Sequence, residues 1–460
     1  MDLVIRGGLV VTGDSSMVVD VGITDGRIVQ IGGAMQGHEV IAAEGKVVVP
    51  GGVDMHVHLT PAVVHEGSFE WVDDFHSGSR AAAAGGITTV GNVTFPQPGE
   101  SLVAALERTR REVAALSIVD FVLHPVLAEA SETNLAQIEQ LPAVGAVSLK
   151  IFMILSGFAA DPGGFIRAMG LAAKAGILTM LHCEDGGIIN FLVQRLIQEG
   201  QGSPSNYART RPVYAEAAAV SRAVAFAEAT GAPVYLVHIS SRQAIEVAQR
   251  ARLRGLPVFL ETRPEYLHFT LDEIPPEDRL LFAGSPPVRD ADDREALWDA
   301  LRAGVIQTCC SDHAPWQRSQ KLAATELSRV LNGLAELDTM LPILFSRGVR
   351  QNRLSLERFV QVTATNAARL FGLYPRKGHI GKGADADVVV WNPAAHRTVR
   401  AKDGFSKCDY TIYEGWEIEG WPQFTISGGE VIYAEGRILG QPGRGKPVRM
   451  DRQYASEVLA

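Results

Sequence analysis

Cysteine is scarce in this chain. There are four in 460 residues, Cys183, Cys309, Cys310 and Cys408, with no CxxC pair and no paired zinc spacing. Adjacent Cys309 and Cys310 would point to opposite faces of a strand. The pattern reads as buried, reduced thiols of a cytosolic protein, and a chain of this length needs no disulfide staple. Long apolar runs are also missing: no stretch of about 18 apolar residues occurs, which excludes a spanning helix. There is no basic excess, since 43 Lys and Arg face 52 Asp and Glu for a net charge of −9. That leaves no electrostatic footprint for nucleic acid and reads as a solvated surface. The start, Met1-Asp-Leu-Val-Ile-Arg6, has no basic region followed by an apolar one, so a cytoplasmic protein without a signal peptide is expected. Internal repeats and low-complexity tracts are absent. So are phosphate and dinucleotide loops, because Gly378-His-Ile-Gly-Lys-Gly383 has neither spacing.

What is present is an ordinary enzyme composition, 46% hydrophobic and 21% charged, long enough for a barrel of about 250 residues plus an accessory module. The first 50 or so residues read as short strands with tight turns. Leu3 to Ile5 and Leu9 to Val11 surround Gly7-Gly8, and Val21 to Thr24 and Arg27 to Ile31 flank the hairpin signal Asp25-Gly26. From Val47 the rhythm becomes strand and helix in alternation. The candidate strands are Val47–Val57, Ile87–Val93, Val119–Val126, Val147–Met153, Leu178–His182, Val234–Ile239, Val258–Thr262 and Ile306–Ser311. Ser101–Leu116 is helical. Thr210-Arg-Pro212 opens a helix, with Thr210 as cap and Pro212 in its first turn, and Thr230-Gly231 closes it. Gly85-Gly86 and Gly176 mark further helix stops. Strands return near residue 385, at Asp387–Trp391, Phe424–Ser427 and Glu430–Tyr433, with Gly428-Gly429 as a turn. Neither terminal segment has strands enough for a core of its own. The expected architecture is α/β: a (β/α)8 barrel over 51–384 and a small β-sandwich built jointly by 1–50 and 385–460.

The chemistry lies at the C-terminal ends of the strands, where barrels carry their sites. Asp54-Met-His56-Val-His58 puts two imidazoles on one face, because i and i+2 of a strand project together. His182 ends the fifth strand, His238 the sixth and Asp312 the eighth. Four histidines converging without partners would be costly as packing alone. Lys150 sits inside the apolar run Val147-Ser-Leu-Lys-Ile-Phe-Met153, where burial favours a neutral amine. Such an amine can take up CO2, and the resulting carbamate can bridge two cations.

In their order, His56-Val-His58, Lys150, His182, His238 and Asp312 resemble the amidohydrolase superfamily, and within it the hydantoinase, dihydropyrimidinase and allantoinase group. The stretches Pro50-Gly-Gly-Val-Asp54, His182-Cys-Glu-Asp185, Glu261-Thr-Arg-Pro-Glu-Tyr266, Ser285-Pro-Pro-Val-Arg289 and Ser311-Asp-His-Ala-Pro315 agree, and the resemblance covers nearly the whole chain. It implies one metal on His56, His58 and Asp312 and a second on His182 and His238. Carbamylated Lys150 and a hydroxide bridge the pair. Zinc is the usual metal, with manganese or another divalent ion as alternatives. It further implies that Asp312 shuttles a proton and that main-chain groups at Ser285 and Asn332 hold a small cyclic amide or ureide. The product is an N-carbamoyl amino acid, and the assembly is a homo-oligomer, tetrameric by resemblance.

Three departures bear on the substrate. Many hydantoinases carry a tyrosine five residues after the bridging lysine, and here that position is Leu155, followed by Ser156-Gly157. Ser-Gly at this place looks more like allantoinases, and a serine there also occurs in an L-selective hydantoinase. Arg263 stands where many relatives have cysteine, and the Asn332 loop is not glycine-rich. A hydantoinase-like enzyme is expected, with allantoinase or dihydropyrimidinase as the alternative and a non-catalytic scaffold relative as the remote one. Among the other histidines, His124 and His268 are placed near the pocket, His65 and His76 in the loop after the first strand, and His313 facing away. His38, His379 and His396 are assigned to the sandwich or its joins.

Overall fold

The computed structural model describes residues 1–60 and 70–451. Eight strands, Gly52–Val57, Ile87–Thr94, Asp120–Pro125, Ser148–Phe152, Leu178–His182, Val234–Leu236, Val258–Thr262 and Thr308–Cys309, run parallel to their neighbours in a three-strand and a five-strand group. Single bridges, Val126 to Lys150 and Val57 to His313, join the two groups and close the barrel. The first strand, Gly-Val-Asp-Met-His-Val, is buried at every position, as expected of a parallel strand covered on both faces. The main core forms around this ring. It includes Val53, Met55, Val90, Leu149, Met180, Leu236 and Leu260, with helix residues such as Leu106, Phe165 and Leu297 packed outside.

The expected run Val47–Val57 is two strands. Val47–Pro50 belongs to another sheet, and the chain enters the barrel only at Gly52. The break falls at Gly51, where a Cβ would come within 2.1 Å of the Thr88 hydroxyl, so only glycine lets the backbone pass.

Both chain ends contribute to that other sheet, as the strand patterns implied. Val388–Thr398 pairs antiparallel with Val47–Pro50, which lies beside Leu3–Val11, while Glu417–Ser427 and Glu430–Ala434 extend the far side. Leu3, Ile5, Val21, Ile23, Val48, Val388, Val390 and Ile426 fill this second core. The two short strands expected around Gly7-Gly8 are instead one strand with a bulge there, Gly7 taking φ +71°. Asp25 and Gly26, both at positive φ, make the expected hairpin. Between its strands the C-terminal part leaves the sheet. Val399, Cys408, Tyr410, Ile412 and Tyr413 pack on Leu281 and Leu334, which lie in loops, and on Ile343 of the helix Met340–Leu344.

Ser101 caps the helix Leu102–Ala114, and Gly231 at φ +68° ends Val213–Thr230. Thr210 is not that helix's cap. Its hydroxyl bonds the Tyr207 carbonyl at 2.6 Å, closing the preceding 3-10 turn, so Pro212 moves out to the cap position. All four cysteines are free and buried. Among the described residues, no helix is long and apolar enough to cross a membrane.

Candidate metal centre

His56 lies in the first barrel strand and His58 one residue beyond it; Lys150 is in the fourth strand, and His182 ends the fifth. His238 and Asp312 follow the sixth and eighth strands, each in the left-handed region, at φ +43° and +46°. Such a conformation is uncommon for a residue with a side chain, and here it turns each out of the line of its strand.

These turns bring the six side chains together. Ligand atoms of His56, His58 and Asp312 all lie within 4.8 Å of one another. Asp312 Oδ1 is 2.9 Å from His58 Nε2 and 3.2 Å from His56 Nε2, and Lys150 Nζ is 3.1 Å from His56 Nε2. The His182 and His238 rings meet edge to face with centroids 4.6 Å apart, and His238 lies 5.6 Å from His56.

Burial sets the protonation of the cluster. It pushes His58 down to about 4 against the pull of Asp312, and it lowers His182 and His238 as well, so these imidazoles are neutral donors. It pulls Lys150 down to about 8, against the attraction of Asp312 and Glu261, so a reactive neutral amine is accessible near neutrality. Burial would raise Asp312, but His56, Arg263 and His58 more than offset it and hold the carboxylate well below its usual range. Neutral imidazoles, a carboxylate and a low-pKa amine at this spacing are a donor set that suits divalent transition metals.

Carboxylates behind the ring orient these donors, and sequence reasoning gave them no role. Glu261 Oε1 takes His56 Nδ1 at 2.7 Å, which leaves Nε2 facing Lys150 and Asp312. The same oxygen accepts the His238 backbone N–H, and Tyr235 donates to the other at 2.8 Å. Glu184 Oε2 holds His182 Nε2 at 3.0 Å, which leaves Nδ1 as the other ring nitrogen; burial would raise this glutamate, but Arg211 and His182 depress it to about 2. Asp54 accepts the N–H groups of His56 and Ser311, tying the first strand to the exit of the eighth. The available signal was a charged residue within an apolar strand. Glu261 shows it as plainly as Lys150 does.

Glu184 also leads to the expected substrate groups. Ser285 Oγ donates to Glu184 Oε2 at 2.5 Å, and Arg211 Nη1 donates to both. Tyr207 hydrogen-bonds the Asn332 side chain and the Gly284 carbonyl, so Ser285 and Asn332 border one floor. The Asn332 main-chain carbonyl already accepts from Trp316 Nε1 at 2.8 Å. Leu155, 41% exposed, and Ser156, also exposed, start the short helix Ser156–Ala160 that follows the fourth strand.

Neither His124 nor His268 stands in the ligand group. His124 bonds the Ser148 hydroxyl and packs on Phe371, and His268 packs among Trp298, Tyr413 and Trp416. His313 engages Asp73 at 3.0 Å. His76 lies on the helix Phe75–Ala84, and His65 falls outside the described residues.

The amidohydrolase family pattern matches residues 47–432. A D-hydantoinase of Ralstonia pickettii is 34% identical over 97% of this chain and 98% of its own. The chain belongs to the amidohydrolase family. Solved structures of this family superpose closely. A D-hydantoinase from Bacillus sp. AR9 is 35% identical with a TM-score of 0.93, covering 98% of this chain and 99% of that one. A dihydropyrimidinase from Brevibacillus agri is 32% identical with a TM-score of 0.93 over the same shares. The chain is thus a hydantoinase-like amidohydrolase.

Proposed function

We propose that this amidohydrolase opens the ring of hydantoins carrying an apolar 5-substituent. The observation that carries the choice is an aromatic belt around the mouth. His58 packs on Trp71 at 5.1 Å and Phe152 on His182 at 5.6 Å, while Phe95 lies 6.3 Å from Trp71 and 5.6 Å from Phe152. With Leu155 at the rim in place of a tyrosine, the surface that would meet the substituent is apolar.

His56, His58 and Asp312 would hold one divalent ion, His182 and His238 a second, and Lys150, as a carbamate, both. Bound there, such ions, zinc by family habit or manganese, lower the pKa of water and polarise a carbonyl. The protein does the rest. Main-chain groups of Ser285 and Asn332 align the alternating C=O and N–H edge of the ring. Asp312 accepts the proton of the water that adds to the ring carbonyl carbon. As the C–N bond breaks, Asp312 returns that proton to the departing nitrogen, leaving an N-carbamoyl amino acid. Glu261 and Glu184 fix the faces of His56 and His182. From its free, buried thiols we read the enzyme as cytoplasmic, and by family likeness as a homotetramer, the assembly being open to sedimentation analysis.

A second reading, allantoinase, draws on exposed Ser156 at the same rim, and dihydropyrimidinase is the third ring type to compare. The test is kcat/KM of metal-replete enzyme on an aryl- or alkyl-hydantoin, dihydrouracil and allantoin, with Leu155→Tyr and Ser156→Ala alongside. The hydantoin should lead. Loss of a hydroxyl donor at an oxyanion costs on the order of 10²-fold, so Leu155→Tyr should raise dihydrouracil turnover toward that of the hydantoin. Allantoin preferred by more than about tenfold would replace the hydantoinase reading. An unchanged profile in both variants would remove this loop from the substrate site.

A further inference from the structure

Arg263 follows the seventh barrel strand and has no exposed surface. Its Nη1 lies 3.1 Å from Asp312 Oδ2, and its Nε lies 2.8 Å from Glu265 Oε1. The guanidinium sits over the Tyr266 ring, with its carbon 5.6 Å from the centroid. A methyl group on Gly284 would come within 3.4 Å of Nη1, so this cation lies beneath the backbone that leads into Ser285. Behind it, Tyr413 donates to Glu336 at 2.6 Å. Burial raises Glu265 to about 7, against the attraction of Arg263, and raises Glu336 further, with Glu265 beside it adding to the shift.

Asp312 has its two oxygens on different partners. Oδ1 faces His58 and His56 at 2.9 and 3.2 Å, and Oδ2 faces Arg263. The strand does not set this plane, since Asp312 lies three residues past Cys309 with its backbone in the left-handed region. We propose that Arg263 is a positioning residue that holds Asp312 Oδ2, so that Oδ1 alone is presented to the histidine cluster. A guanidinium anchored by its ion pair to Glu265 keeps a buried positive charge beside Oδ2, which a thiol at this position could not supply. The proposal rests on the reading of Asp312 as ligand and proton carrier.

The test uses full-length, metal-replete enzyme. Arg263→Met paired with Glu265→Gln removes both halves of that ion pair, so that Glu265 is not left as a bare buried charge, while Asp312 keeps its histidine partners. In the folded double variant kcat should fall at least about tenfold, with KM within about threefold. The Co2+-loaded form should change its visible spectrum, and dialysis against a weak chelator should leave fewer bound equivalents than in the wild type. Arg263→Lys keeps a donor for Oδ2 and should recover part of kcat and of the spectrum. A folded double variant with wild-type kcat, spectrum and metal content overturns the proposal. So does a loss confined to KM and thermal stability, which marks a merely structural role. Wild-type enzyme that binds no metal, or opens no ring, instead defeats the underlying reading and the proposal with it.

Discussion

Lys150 is a lysine with no exposed surface, on a strand otherwise built of Ser148, Leu149, Ile151 and Phe152. Its nearest contacts are His56 and the face of Phe152, with Nζ 4.8 Å from the ring centroid; the anions Asp312 and Glu261 attract it but do not outweigh its burial. A carbamate reverses its charge and suits it to cations. Lys150→Ala should therefore lose at least one of two bound metals by elemental analysis and nearly all turnover, with partial rescue by short carboxylic acids. Both metals and full turnover in this variant would end the carbamate reading. Asp312→Asn keeps an oxygen near His56 and His58 but removes the base, so turnover should fall by at least about 10²-fold while metal is retained. A near-normal rate with one metal lost would make Asp312 a ligand and not a proton carrier. At this scale the sequence was most legible, because histidine, lysine and aspartate at the ends of apolar strands have few other uses. Glu261, Glu184 and Arg263 were harder to read. Glu261 meets His56, and Arg263 meets Asp312, across long stretches of sequence; Glu184 and Arg263 also have partners two residues away, but a charged residue does not announce which neighbour will neutralise it.

Elements were legible where burial dictates a run of apolar residues and obscure where one close contact decides. The barrel strands fall inside the apolar runs that predicted them to within one residue, Ile87–Thr94 running one past its expected end, but the split at Gly51 depends on Thr88, which no local pattern reveals. The cap of Val213–Thr230 likewise turns on a bond from Thr210 to Tyr207. Between elements, Asp73 is a fastener. It takes His313 Nε2 at 3.0 Å and the Lys407 N–H at 2.8 Å, joining the segment after the first strand to the exit of the eighth and to the C-terminal excursion. Burial would raise its pKa, but His313, Lys407 and Ser406 outweigh that and hold it at about 2. The folded value lies below the unfolded one, near 3.9. Its contribution, about 2 kcal/mol, is therefore full above roughly pH 4 and is lost as pH falls toward 2. Asp73→Asn should melt lower than wild type at pH 5, with the gap narrowing on acidification. A gap that stays constant from pH 5 to 2 would show that the carboxylate charge is not what fastens these segments.

At the scale of the whole molecule, the barrel closes at two narrow joints. Continuous ladders hold most strand pairs, yet among the described residues the two groups are bridged only at Val126–Lys150 and Val57–His313. The hydrogen bonds there run from Leu127 N–H to the Lys150 carbonyl and from His58 N–H to the His313 carbonyl, at 2.9 and 2.8 Å. Lys150 and His58 are themselves proposed ligands, and Asp312 adjoins His313. An ion held by His58 and Asp312 would act as a rivet through one joint, and one shared with Lys150 would tie the other joint across the lumen. Stripping the metal should then loosen the cask along its staves before it empties the core. A ligand at a thousand times its Kd adds about 4 kcal/mol, so the melting temperature should drop on chelation. Hydrogen exchange should quicken first at Leu127 and His58, while the amides of Met180 and Leu260, in the continuous five-strand group, stay protected. Uniform loosening across all eight strands would show that the joints carry no special share of the load.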